Sequence, residues 1–259
     1  MFCNVKTSLS SLKRGMRQSA FVLLLWAVVT PFFLCISFSV LKRMWMGNAA
    51  EYCVGDFINS LNRGTLMNFF ILPFTVCVVF LVSERDNTAN CILKFRTRTR
   101  LLENQYMKIL LLSLLFPVVL VLTAFIIAGF FTNSLMNWGE KTSLFYKNYG
   151  YTLNIGFVSV LALTACRLFV KLLFFLIVMI WSGLRFQKIF SFLILFVLSA
   201  ARVFDFFQFE VSKIFNLVKE ESYFLASEKI VYFVLTPILI LLLACVSFKA
   251  VKRKDFVGT

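Results

Sequence analysis

Histidine is missing from all 259 residues, and aspartate and glutamate together number only 12. Without imidazole there is no His-based catalytic triad and no zinc site with His ligands. A Ser–Lys dyad needs a serine beside an amine of depressed pKa. Lys171 is the one amine within an apolar stretch, and nothing in the spacing selects a serine for it. Gly-x-x-x-x-Gly-Lys-Ser/Thr occurs nowhere, so the chain has no phosphate-cradling loop of its own. The seven cysteines are scattered, several within apolar runs, with no CxxC pair. They support neither a disulfide framework nor a zinc site and read as buried free thiols. The pattern predicts a non-enzyme, with no catalytic residue and no cofactor or metal held by this chain.

What is abundant is apolar: 60% of residues are hydrophobic, 15% are charged, and 33 are phenylalanine. Uncharged runs of 18 or more residues recur, each long enough to cross a hydrocarbon core of ~30 Å at ~1.5 Å per residue. All four prolines (Pro31, Pro73, Pro117 and Pro237) lie inside these runs, where membrane helices tolerate them. The expected fold is all-α, a polytopic membrane protein forming one transmembrane domain over residues 1–259. A net charge of +15 raises nucleic acid as a partner, but the cations bracket apolar spans and form no continuous surface. They orient the chain in a cell membrane instead.

Val5, Leu9, Leu12 and Met16 recur at spacing 4-3-4 among Lys6, Lys13, Arg14 and Arg17, which predicts a short amphipathic interfacial helix. The alternative is a secretory signal peptide with Ser37-Phe38-Ser39 as cleavage site. Its apolar core of 22 residues is longer than a usual signal core. Six spans follow, at about 20–41, 65–82, 109–131, 160–181, 189–204 and 230–248. Arg167, Lys171, Arg185 and Lys188 complicate the fourth and fifth. A turn at Arg167–Lys171 leaves 13 uncharged residues before Arg185. Running span 4 through both cations to Trp181 and turning at Ser182–Lys188, with Gly183 as breaker, is preferred. Arg167 and Lys171 then share one helix face inside the membrane. They contact an anionic group of substrate or lipid, pair with an acid elsewhere, or snorkel to the outer interface.

With the N-terminus inside, the inner segments carry sixteen Lys/Arg against four acids, and the outer segments nine against eight. Both termini are therefore expected in the cytoplasm. Lys42 and Arg43, just outside span 1, run against this bias. Trp138, Tyr146, Tyr149 and Tyr151 suit a membrane–water boundary.

Residues 83–108, between spans 2 and 3, hold six Lys/Arg and three acids. Ile92, Phe95, Leu102 and Tyr106, with Thr99 in the gap, form one apolar stripe on an otherwise basic helix. Such a helix either lies on anionic lipid or docks on a soluble partner. A length of 26 residues exceeds what topology requires and favours the partner.

The order of these features resembles the permease subunits of type-2 ABC transporters, in particular small six-span members associated with export of, or immunity to, peptides such as bacteriocins. The basic amphipathic N-terminus, the segment Asn62 to Pro73, the loop that opens with Glu84 and carries the basic cluster Phe95-Arg96-Thr97-Arg98-Thr99-Arg100 before Lys108, and the tail Val251-Lys252-Arg253-Lys254-Asp255-Phe256 carry the likeness. It implies that the loop after span 2 holds a coupling helix, with Glu84, Arg96, Arg98 and Arg100 coupling to a separate ATP-binding cassette ATPase that binds ATP and magnesium. It also implies a second permease chain, identical or different, and a pathway for an amphipathic substrate such as a peptide. The rival reading is a non-transporting membrane protein, an immunity factor or a sensor's membrane module.

Overall fold

A computed structural model describes residues 5–46, 51–61, 66–84, 98–185, 191–197, 237–238 and 240–249. Among these residues the chain is mostly helical, with no strand and one isolated bridge between Glu51 and Ser143. The elements are α1 (Val5–Gln18), α2 (Ala20–Met46), the short α3 (Val54–Ser60) and a π-helical turn, Met67–Ile71, that leads into α4 (Leu72–Glu84). Then come α5 (Arg98–Gly129), the short α6 (Leu144–Tyr149) and α7 (Phe157–Arg185). Helical segments at 191–197 and Ile240–Lys249 are α8 and α9.

Three helices are long and apolar enough to cross a membrane: Ala20–Met46, Thr99–Gly129 and Phe157–Gly183. Of the six spans expected, these three are present among the described residues, beside the shorter apolar helices Met67–Ser83 and Ile240–Lys249. Span 2 carries a local irregularity. Pro73 has no N–H to give and its ring crowds the carbonyl four residues back, so the preceding turn widens and Leu72 N–H bonds the Met67 carbonyl. Spans 5 and 6, expected at 189–204 and 230–248, extend over residues outside the described set.

Several expected boundaries move. α2 continues to Met46, so Lys42 and Arg43 are not loop charges but lie in its final turns, where cations complement the carbonyl end of the helix. Lys42 Nζ donates to the Phe131 carbonyl at 3.3 Å and sits 5.7 Å from the centre of the Phe131 ring. α7 runs unbroken through Arg167 and Lys171, as in the preferred reading of span 4. It also runs through Gly183 to Arg185, so that glycine does not act as a breaker. The largest shift is in α5, which begins at Arg98 and continues without interruption through Pro117. The described part of the basic stretch is thus the first third of a membrane helix and not a separate helix on the lipid surface. Its 32 residues make ~48 Å, well beyond a ~30 Å hydrocarbon core.

Ring contacts give the relative directions. Trp26 meets Phe116 and Phe33 meets Phe70, while Phe38 meets Phe131, so α2 and α5 run together and α4 runs against them. Phe80 meets Phe192 and Phe69 meets Phe196, which sets α8 against α4. Tyr106 meets Phe248, which brings the end of α9 to the level of the start of α5. Two apolar cores result. One includes Trp26, Val79, Ile109, Phe116 and Leu176; the other includes Phe38, Phe57, Ala124, Trp138 and Val160. α7 contributes to both and is the most enclosed of the three long helices, while α2 is the least. Phe21, Leu24, Val28 and Phe32 of α2 are exposed, an apolar face suited to lipid tails.

α1 is amphipathic as expected, but the later part of its apolar side is spent on protein while Leu9 stays exposed. Leu12 and Met16 pack on the core that holds Val82, and Gly15 is buried against α4. A Cβ at Gly15 would stand 2.8 Å from the Val82 carbonyl oxygen, so only glycine fits this crossing. Gly15→Val is therefore expected to destabilise the fold by about 1–3 kcal/mol, the range for overpacking. Gly129→Ala, where a Cβ meets nothing within 4 Å, serves as control. Thermal unfolding of both variants in mild detergent checks this. Equal midpoints would mean that α1 does not hold to α4.

Candidate functional site

At the end of the bundle that holds α1, the finish of α4 and the start of α5 converge. Ser19 interrupts the first two helices for one residue only: its N–H bonds the Gly15 carbonyl at 3.0 Å and its carbonyl accepts from Leu23 N–H at 2.9 Å. α1 is thereby fixed in direction relative to α2 by a nearly continuous ladder. On α5, Leu102, Asn104 and Lys108 are buried, and Tyr106 is half-buried against Phe248. The stripe residues Leu102 and Tyr106 face the bundle, as the spacing required, and Arg100 is exposed. Of the other residues expected to couple to a partner, Glu84 is the last residue of α4 and Arg98 the first of α5, with side chains outside the described set. Arg96, Ile92 and Phe95 lie outside it altogether.

Arg167 and Lys171 lie roughly 15 and 21 Å along α7 from its start at Phe157, at ~1.5 Å per residue. That is the middle of a crossing. Their exposures are 2% and 3%, so both face the interior and neither snorkels out along the lipid face. The reason is their position on the most enclosed helix, where neighbours on every side close over a long side chain. Neither is without a partner. Such cations are tolerated at this depth only while paired or hydrogen-bonded.

The opposite end is closed by a cap of two segments, 51–61 and 130–155. Backbone bonds join them: Val54 N–H to the Ser134 carbonyl (2.9 Å), Leu144 N–H to the Glu51 carbonyl (2.8 Å) and Gly55 N–H to the Leu135 carbonyl (3.2 Å). Asp56 is the hub. Its two oxygens accept the Trp138 indole N–H at 2.8 Å and the Cys53 backbone N–H at 2.9 Å. The second bond satisfies one of the open donors at the start of α3. Burial raises the Asp56 pKa above the ordinary carboxylate range, against the opposing pull of its N–H donors. Burial and, after it, the adjacent Asp56 charge push the Cys53 thiol up to about 12. Cys53 is fully buried and so is an inert thiol, whereas Cys35, Cys166 and Cys245 are exposed, so the expectation of buried thiols holds for Cys53 and is corrected for those three.

Sequence reasoning missed this hub. Trp138 reads in the sequence as a boundary aromatic, yet it is fully buried and stacked on Phe145 with ring centres 4.6 Å apart. Tyr146 and Tyr151 are half-buried, and the Tyr149 side chain lies outside the described set. The available signal was Asp56 three residues after Cys53, the spacing of a reciprocal cap. Lys108 and Asn104 were also missed, because they read as the polar edge of a loop.

Asp56 supplies a pH test. An acid whose folded pKa is raised contributes stability that is full below its unfolded value, near 3.8, and is lost as pH rises through the folded value. Reversible unfolding in mixed micelles should show that loss in the native chain, and Asp56→Asn should flatten it. Trp138→Phe removes a donor from the ionised form and should cost about 1–3 kcal/mol, more at neutral than at acid pH. A pH profile identical in the native chain and Asp56→Asn would remove Asp56 as the group responsible.

For the α7 pair, Lys171→Glu should abolish most of the folded fraction, a cost of about 3–5 kcal/mol for breaking a buried charge arrangement. Size-exclusion of fluorescently tagged protein reads it.

No protein-family model, no curated protein and no solved structure matches the chain, so its function is argued from its own residues.

Proposed function

We propose that the chain is the membrane-spanning permease subunit of an ATP-driven exporter, energised by a separate ATP-binding cassette ATPase. The chain crosses the cell membrane six times with both termini in the cytoplasm, and it works beside a second permease chain. Its substrate is an amphipathic molecule such as a peptide. The observation that supports this most directly is the continuity of α5 from Arg98 to Gly129. A push on the basic end is delivered to a membrane helix without passing through a loop, because a helix is stiff along its axis.

The sequence has no nucleotide-binding loop, so work must arrive from outside. Glu84, Arg96, Arg98 and Arg100 lie at the ends of α4 and α5 or between them, where a docked partner would grip both helices. ATP and magnesium belong to that partner. Arg167 and Lys171 serve the bundle as paired interior charges, and during transport they offer an anionic group a place to bind.

The tightness of the bundle favours a second reading, a non-transporting immunity or sensor-module protein. Two crevices among the long helices measure about 140 and 200 Å³, too small for a peptide in this state.

Extraction in mild detergent and affinity purification separate the two. An ATPase subunit should accompany the chain, and its hydrolysis should respond to substrate in reconstituted vesicles. Replacing Arg96, Arg98 and Arg100 together by Gln should uncouple hydrolysis from transport with insertion intact. Purification of the chain alone, with no ATPase captured under any nucleotide condition, would favour the non-transporting alternative.

A further inference from the structure

The crevice of about 200 Å³ lies between α2 and α5, with walls of Leu23, Trp26, Leu112, Leu115 and Phe116. Met16 of α1 lines it too, so one end of an apolar slot abuts the amphipathic helix. Leu115 is half exposed, so the slot opens sideways toward lipid. On α1, Lys13, Arg14 and Arg17 are exposed at i, i+1 and i+4, within about 100° of the helix circumference, with Arg14 on the side away from Met16. Lys13 stands one turn from Met16 on the same side. No acid occurs among the first 50 residues to compensate them.

We infer that this crevice, together with the cationic face of α1, binds one anionic phospholipid: an acyl chain in the slot and the phosphate at Lys13 and Arg17, the two cations on the side nearer Met16. The occupant must be amphiphilic, because the slot is apolar along its length and the charge gathers at one end. It must be anionic, because Lys13 and Arg17 flank that end without an acid on their own helix. Arginine forks suit phosphate oxygens in pairs. The site is built and not a loose association, since Gly15 against the Val82 carbonyl and the ladder through Ser19 hold α1 at one distance from the slot. A free phosphate would leave the slot unused. The inference requires only that the bundle sits in a membrane, and it stands apart from the transporter proposal.

Trp26 is a reporter already in place, with its ring edge on Phe116 and its indole N–H bonded to Thr75. The full chain is reconstituted into phosphatidylcholine vesicles containing acyl-brominated phosphatidylglycerol or acyl-brominated phosphatidylcholine. Quenching of Trp26 is read as the difference from Trp26→Phe. The anionic lipid should quench at a mole fraction about tenfold lower than the zwitterionic one, the scale expected of a few surface cations. Lys13→Gln, Arg14→Gln and Arg17→Gln combined should erase that preference and leave quenching by phosphatidylcholine unchanged.

Because Trp26→Phe gives up a buried bond, lipid retained through purification is also counted by native mass spectrometry. One anionic phospholipid per native chain is expected, and none on the triple variant or on Ala27→Phe, which fills the slot. Equal quenching by the two lipids, an undiminished preference in the triple variant, or displacement of the brominated lipid by glycerol phosphate alone would overturn the site.

Discussion

Two cations one helical turn apart, Arg167 and Lys171, lie buried inside a helix bundle, midway along a helix long enough to cross a membrane. A charge in that position stays only if the protein surrounds and pairs it, because hydrocarbon solvates it poorly. α7 is accordingly the most enclosed of the three long helices and contributes to both apolar cores. The lipid-facing work falls to α2 and to one side of α5, whose exposed residues are apolar. Which helix is central and which is peripheral thus follows from where the chain put its charges.

The two ends of the bundle are finished by different physics. At the end of the cap, irregular backbone must satisfy its own polar groups, and it does so through cross-bonds between 51–61 and 130–155 gathered around Asp56. At the other end the finish is helical: α1 and the first third of α5 continue the regular ladder beyond the apolar region. A cap locked by many short bonds resists motion, whereas helical extensions pass motion along their axes. On the proposed function, that contrast gives the basic end to the partner and makes the cap the fixed point.

The amphipathic patterns were readable in the sequence because period is a local property. Leu12 and Met16, like Leu102 and Tyr106, share one helix face as their spacing requires, but that face meets the bundle and not lipid or a separate partner. The breaks between helices were less readable. Arg98 was assigned to a surface helix and Gly183 to a turn, yet both belong to long helices. Charge and glycine content say only that a helix costs more at that point. Packing of α5 against α7 and α4 is what makes it continue. Trp138 shows the same limit from the other side: an aromatic in a polar segment fits a membrane boundary until Asp56, distant in sequence, is brought to its indole.

Residue order alone determined that this chain is a bundle of membrane-type helices with a basic amphipathic start. Those properties depend on transfer free energies and helical period, which each segment carries by itself. Tertiary structure alone decided that Arg167 and Lys171 face inward, that glycine is required where α1 crosses α4, and that Asp56 and Trp138 form one hub. Each of these depends on which distant surface arrives opposite a residue, and no local period contains that information.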